Sequence, residues 1–157
     1  MHLFHFINNC HLPNVQTFLN NTPNPDELST VSDKLKWYRY KNGLLQSEVA
    51  KIMSIARTTY SRYEQNILES YPLDKLTKVA EYFKIDVTDL LDEYNLFLYK
   101  GQGEKIKRLR KSLKLTQSEL AQNIGVSLGT FKKWEQNKVR ITKASYLKLI
   151  EILNNIY

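Results

Sequence analysis

The chain repeats itself, and that limits its fold more than any other feature. At an offset of 71 residues, Leu45-Gln46-Ser47-Glu48-Val49-Ala50 lines up with Thr116-Gln117-Ser118-Glu119-Leu120-Ala121. Further on, Thr59-Tyr60-Ser61-Arg62-Tyr63-Glu64-Gln65-Asn66 lines up with Thr130-Phe131-Lys132-Lys133-Trp134-Glu135-Gln136-Asn137. Arg39 pairs with Arg110 in the same register. A loop one residue shorter in the second copy then restores the match, with Leu76, Val79, Ala80 and Phe83 against Tyr146, Leu149, Ile150 and Leu153. A length of 157 residues accommodates two small domains, so one small fold built twice is the expected plan.

Each copy reads as a run of short helices. In the second, Ile106, Leu109 and Leu113 mark one helical face by their spacing. Thr116 followed by Glu119 is a capping box, in which side chain and backbone satisfy each other's free amides at a helix start. The helix over residues 117–124 buries Leu120, Ala121 and Ile124, and Gly125 supplies a tight turn. Ser127 caps a third helix with Phe131 and Trp134 facing inward, and an amphipathic fourth follows over 143–154. The first copy runs the same course. Leu35 and Trp37 lie in its first helix, residues 46–53 and 57–64 form the second and third, and Pro72 opens the fourth. Asp86 reads as the cap of a fifth helix whose stripe of Leu90, Leu91, Tyr94, Phe97 and Leu98 runs to Lys100-Gly101-Gln102-Gly103. Only five Gly and four Pro interrupt the chain, so helices run freely. The expected organisation is all-α: an arm over 1–32, loosely ordered, a first domain over 33–99, a linker over 100–103 and a second domain over 104–157.

Charge is unevenly placed. The net charge is +7, yet residues 33–94 balance ten basic against ten acidic side chains. From Asn95 onward thirteen Lys and Arg face Glu104, Glu119, Glu135 and Glu151. A polyanion such as nucleic acid is the natural partner of that last third. Cys10 is the only cysteine, which points to a reducing compartment. The first nine residues lack the basic flank of a secretion signal, and no run approaches the ~18 apolar residues of a membrane span. A cytoplasmic protein with no membrane partner is the expectation. Heavy use of Asn, Lys, Ile and Tyr suggests an AT-rich bacterial genome.

A Gln opening a helix, then an Ala, a Gly turn, a capped helix and a closing aromatic-Glu-Gln-Asn resemble the lambda-repressor/Cro-like (XRE-type) helix-turn-helix family. The resemblance covers residues 33–94 and 104–155, and finding it twice makes a chance match improbable. It implies two tandem four-to-five-helix units, each with its third helix in the major groove of double-stranded DNA and its second bracing it. It implies that Gln46 and Gln117 contact phosphate, and that Arg39 with Glu64 and Arg110 with Glu135 form a structural ion pair. The implied DNA-binding set is Gln46, Arg57, Thr58, Ser61 and Arg62 in the first copy. In the second it is Gln117, Ser118, Leu128, Lys132, Lys133 and Lys138.

The copies depart from the pattern in different places. The first has Ser54 at the turn glycine, Leu45 for the capping Thr and Ala56 for the capping Ser; losing a cap costs about 1 kcal/mol. The second has Leu128 and Gly129 where polar base readers usually stand. Leu128 can meet a thymine methyl, whereas Gly129 has no side chain to read with. A division of labour follows, with sequence discrimination weighted to the first unit and phosphate affinity to the second.

Other readings compete. Trp37, Tyr60, Tyr63, Phe131 and Trp134 follow the buried helical face and read as core rather than stacking platforms. The basic run Lys105, Lys107, Arg108, Arg110, Lys111, Lys114 is a solvated face that also attracts phosphates. His2, His5, Cys10 and His11 match no structural zinc spacing, and no phosphate loop or catalytic triad appears. An enzyme, a cofactor and a small-molecule substrate are therefore not expected. The first functional reading is a transcriptional regulator, a repressor of the phage or mobile-element kind. The alternative is an antitoxin-like or protein-docking subunit that binds a partner protein and uses DNA for autoregulation. An apolar patch on the arm or on residues 94–99 would favour that alternative. A further variant makes the charge-neutral first unit the docking module. Pairing as a homodimer through the arm or the fifth helix stays open.

Overall fold

A computed structural model describes residues 13–22 and 24–155. It divides between Glu93 and Tyr94 into two compact units, and every regular element among the described residues is helical. The first unit contains α1 (Pro13–Asn21), α2 (Val31–Lys41), α3 (Gln46–Ile52), α4 (Arg57–Tyr63) and α5 (Leu73–Phe83). Short 3-10 turns cover Pro25–Glu27 and Val87–Leu90. The second contains α6 (Glu93–Tyr99, entering at the boundary), α7 (Gln102–Ser112), α8 (Gln117–Ile124), α9 (Leu128–Glu135) and α10 (Lys143–Asn154). No described helix is long and apolar enough to cross a membrane.

Each unit closes around one core. In the first, Leu35, Val49, Met53, Tyr60, Leu76 and Val79 are fully buried. In the second, Ile106, Leu120, Phe131 and Leu149 occupy the corresponding places, with Trp134 and Ile141 beside them. The inward aromatics of the third helices are core, as their spacing indicates.

Three stretches differ from the sequence expectation. Residues 13–22, read as part of a loosely ordered arm, contain the helix α1 docked on α2. The Trp37 indole N–H donates to the Thr22 carbonyl (2.7 Å), and Phe18 meets Tyr40 edge-on. A buried indole requires a partner for its N–H, and the arm supplies one. The first domain also starts earlier than residue 33, because Thr30 caps α2 by accepting from the Asp33 N–H, and Val31 and Ser32 are buried.

The second difference concerns the fifth helix. Asp86 does act as a cap, accepting from the Thr88 N–H (2.8 Å), but of a short 3-10 turn. The chain turns extended at Leu91 before α6 begins. The apolar stripe is thereby divided: Leu90 is buried in the first unit, whereas Tyr94 and Phe97 pack in the second core against Tyr146. Those two side chains are therefore core rather than an exposed patch.

The third is the stretch 100–103, expected to be a linker. Gln102 and Gly103 instead form the buried first turn of α7. A Cβ on Gly103 would lie 2.5 Å from the Glu135 carbonyl oxygen, so glycine here serves close packing and not flexibility. The Gly103 N–H donates to Asn137 Oδ1 (2.9 Å), tying α7 to the end of α9.

The backbone keeps the 71-residue repeat even where residue types change. Left-handed corners stand at Gly43 and Lys114, at Ser54 and Gly125, and at Asn66 and Asn137. At the first corner the strain-free glycine belongs to the first unit, and at the second corner to the second. A non-glycine residue in this region costs roughly 1 kcal/mol or more. Lys114→Gly is therefore expected to stabilise the second unit by about 0.5–1 kcal/mol, and Gly125→Ala to destabilise it by at least about 1 kcal/mol. Thermal unfolding read at Trp134 checks both signs; equal midpoints for the two variants would contradict it.

Candidate nucleic-acid interface

The third helix of each unit is set by the same buried polar cluster. In the first unit Arg39 on α2 donates through Nε and Nη2 to the two carboxylate oxygens of Glu64 (2.6 and 2.9 Å). Its Nη1 donates to the Leu44 carbonyl, and Gln46 Nε2 donates to Glu64 Oε2 (2.9 Å). In the second unit Arg110, Leu115, Gln117 and Glu135 repeat every one of these bonds. First helix, second-helix start and third-helix end are thus pinned at one point. Burial works against the charge on Arg39, but the hydrogen bonds and field of Glu64 overcome it and hold the guanidinium above its ordinary value. Burial likewise pushes the Glu135 carboxyl up, yet its bonds to Arg110 and Gln117 win and hold it below the ordinary range.

Tyr60 sets its hydroxyl in this cluster, where the second unit has Phe131. The hydroxyl is buried and makes no hydrogen bond of ordinary geometry. Burial above all, and then the Glu64 charge, push the phenol far above its usual value, so it stays protonated.

The corner between second and third helices is fixed from the fourth. Lys78 Nζ donates to Ser54 Oγ (3.1 Å), and Lys148 Nζ donates to the Ile124 carbonyl (3.2 Å). Caps differ as the sequence indicates. Thr116 and Glu119 form the full reciprocal box, and Ser127 accepts from the Thr130 N–H. Leu45 has no acceptor, so only the Glu48 half of its box exists, and Ala56 caps nothing. The first unit holds the same helix pair without either side-chain cap, by packing, the Arg39 cluster and the Lys78 and Glu48 bonds.

What each unit turns outward here is a short helix with a cationic surface. Arg57, Thr58 and Arg62 are exposed on α4, with Ser61 half-buried beside them. On α9 Leu128, Lys132 and Lys133 are exposed, and Lys138 follows in the next turn. Ser118 is exposed at the start of α8. The described ion pairs involve Lys36, Arg39, Lys75, Lys107 and Arg110 and none of these outward cations.

A helix-turn-helix family model matches the chain twice, at residues 35–90 and 106–156. The chain belongs to the helix-turn-helix family, in its lambda-repressor-like branch. No curated protein and no solved structure matches it. The matches take in most of the four-helix core of each unit and leave α1 and α6 outside. Helix-turn-helix proteins of this kind are DNA-binding regulators.

Within the first helix-turn-helix unit, Gln46 and Arg57 come together on one cleft of about 420 Å³, lined also by Arg39, Tyr40, Leu45 and Ser47. The two glutamines expected on phosphate are each engaged with the buried glutamate. A primary amide retains a second N–H, so the glutamine can link an outside acceptor to the ion pair behind it. Ser47 was not among the expected residues, although it is exposed and is the repeat mate of Ser118; the alignment of the copies is the signal that finds it. Arg140 is likewise exposed beside Lys138. No cluster of potential metal ligands occurs among the described residues, and His2, His5, Cys10 and His11 lie outside them.

Proposed function

We propose that the chain is a sequence-specific transcriptional regulator, a repressor of the phage or mobile-element kind working in the cytoplasm. In this reading it places α4 and α9 in the major groove of double-stranded DNA. One observation carries the reading. The cations behind the third helices are locked in ion pairs, whereas those on their outer faces are not. An arginine at the start of a groove-lying helix suits guanine, whose O6 and N7 accept its paired donors. Lysines further along suit phosphate, where a point charge suffices. Arg57 and Arg62 on the balanced first unit then discriminate, and Lys132, Lys133 and Lys138 on the basic second unit hold the backbone.

The division has a measurable form. For the Lys132→Ala/Lys133→Ala double variant, the slope of log affinity against log salt is expected to become shallower by about 2, at similar relative preference among duplexes. Arg57→Ala is expected to cost about 1–3 kcal/mol on the preferred duplex and little on others. Fluorescence anisotropy titrations across salt concentrations read both. An Arg57→Ala variant with intact specificity, together with a double lysine variant that relaxes it, would reverse the assignment.

A further inference from the structure

Four of the five glycines have a backbone reason to be glycine. Gly43, Gly101 and Gly125 stand at positive φ, and Gly103 faces the Glu135 carbonyl oxygen at a distance that excludes a Cβ. Gly129 is different. It lies in the first turn of α9 at ordinary helical φ, and a Cβ there would meet nothing nearer than Ser127 Oγ at 3.9 Å. Glycine is the poorest helix former after proline, because it loses the most backbone freedom on folding. The folded chain thus carries a destabilising residue at an exposed position where a Cβ would meet no obstacle.

The neighbours of Gly129 indicate what it makes room for. Leu128, at the first position of α9, is 38% exposed and stands where the first unit has Arg57. Lys132 and Lys133 project from the same helix, engaged in no described ion pair. An exposed apolar side chain, a missing side chain beside it and two free cations form a surface for something apolar within a polyanion. The one apolar feature on base edges in the major groove is the thymine methyl.

We propose that Leu128 and Gly129 make the second unit a reader of thymine, a conclusion resting on the DNA-binding reading above. Leu128 packs on the 5-methyl group, and the bare backbone at Gly129 lets the start of α9 approach the groove floor. The two units consequently demand different half-sites, the first through hydrogen bonds from Arg57 and the second through shape and apolar contact.

The test uses the full chain and the duplex it enriches from a random library, together with a twin carrying deoxyuridine in place of every thymidine. The wild-type chain is expected to bind the twin about tenfold more weakly, and Leu128→Ala to bind both forms alike. Gly129→Ala is expected to move two readouts in opposite directions. The second unit's Tm rises by about 2–5 °C from helix propensity, while affinity for the thymidine duplex falls about tenfold or more. A stabilised Gly129→Ala chain that binds as tightly as wild type overturns the proposal, and so does equal wild-type affinity for the two duplexes. Either result leaves DNA binding itself standing. Failure to enrich any duplex removes both readings.

Discussion

Replacing Arg39 with methionine is expected to lower the stability of the first unit by about 3–5 kcal/mol. Arg39 and Glu64 have side chains only 8% and 3% exposed, so methionine leaves a buried carboxylate with Gln46 as its remaining partner. The loss is the cost of an uncompensated charge rather than the net worth of the pair, since well-packed apolar replacements of both partners are often neutral. The double variant Arg39→Met/Glu64→Met is therefore expected to recover most of the loss. Each unit contains one of the two tryptophans, Trp37 in the first and Trp134 in the second. Single-tryptophan forms in a urea titration read the units separately, and the Trp37 transition should shift while that of Trp134 stays in place. A single variant within about 0.5 kcal/mol of the parent would show that Glu64 finds another partner on its own.

The second large effect is expected at Gln102. Its Nε2 donates to the Val139 carbonyl (2.6 Å) and to the Trp134 carbonyl (3.3 Å), and its Oε1 accepts from the Ile141 N–H (2.9 Å). The Trp134 carbonyl also accepts from the Asn137 N–H, so Gln102→Leu orphans mainly Val139 O and Ile141 N. Stranded polar groups of this kind cost about 1–3 kcal/mol each, and a total near 3 kcal/mol is expected in the Trp134 transition. The segment released is the one that presents Lys138 and Arg140 beside α9, so DNA affinity should weaken as well. Were 100–103 a flexible linker, the variant would be silent in both measurements.

The contrast between those residues shows what a sequence can disclose. The 71-residue repeat made Arg39, Glu64, Arg110 and Glu135 legible as a matched set, because their register survives every substitution around them. Caps and turns were legible too, since Thr116, Glu119, Gly125 and Ser127 act on neighbours a few residues away. Gln102 and Gly103 were not. Between two glycines a glutamine looks like a linker, and only the closeness of the Glu135 backbone reveals that it is core. Trp37 announced burial but not what would cover it, for the Thr22 carbonyl lies in a stretch with a weak apolar pattern. The allegiance of α6 escaped for a related reason. The spacing of Tyr94 and Phe97 identifies an apolar face without saying which core receives it. The inward bonds of Gln46 and Gln117 were equally hidden, since a polar side chain at a helix start fits an outward contact as well.

The measurement that tests the central claim most directly is selection of bound duplexes from a random library by the full chain, followed by salt-dependent affinity for the winner. Two grooves read by unlike helices should enrich a site with two unequal blocks, one containing guanine and the other thymine. Its affinity should fall steeply as salt rises and several phosphate contacts are lost. A pool that stays random through repeated rounds would contradict the assignment of α4 and α9 as DNA-reading helices.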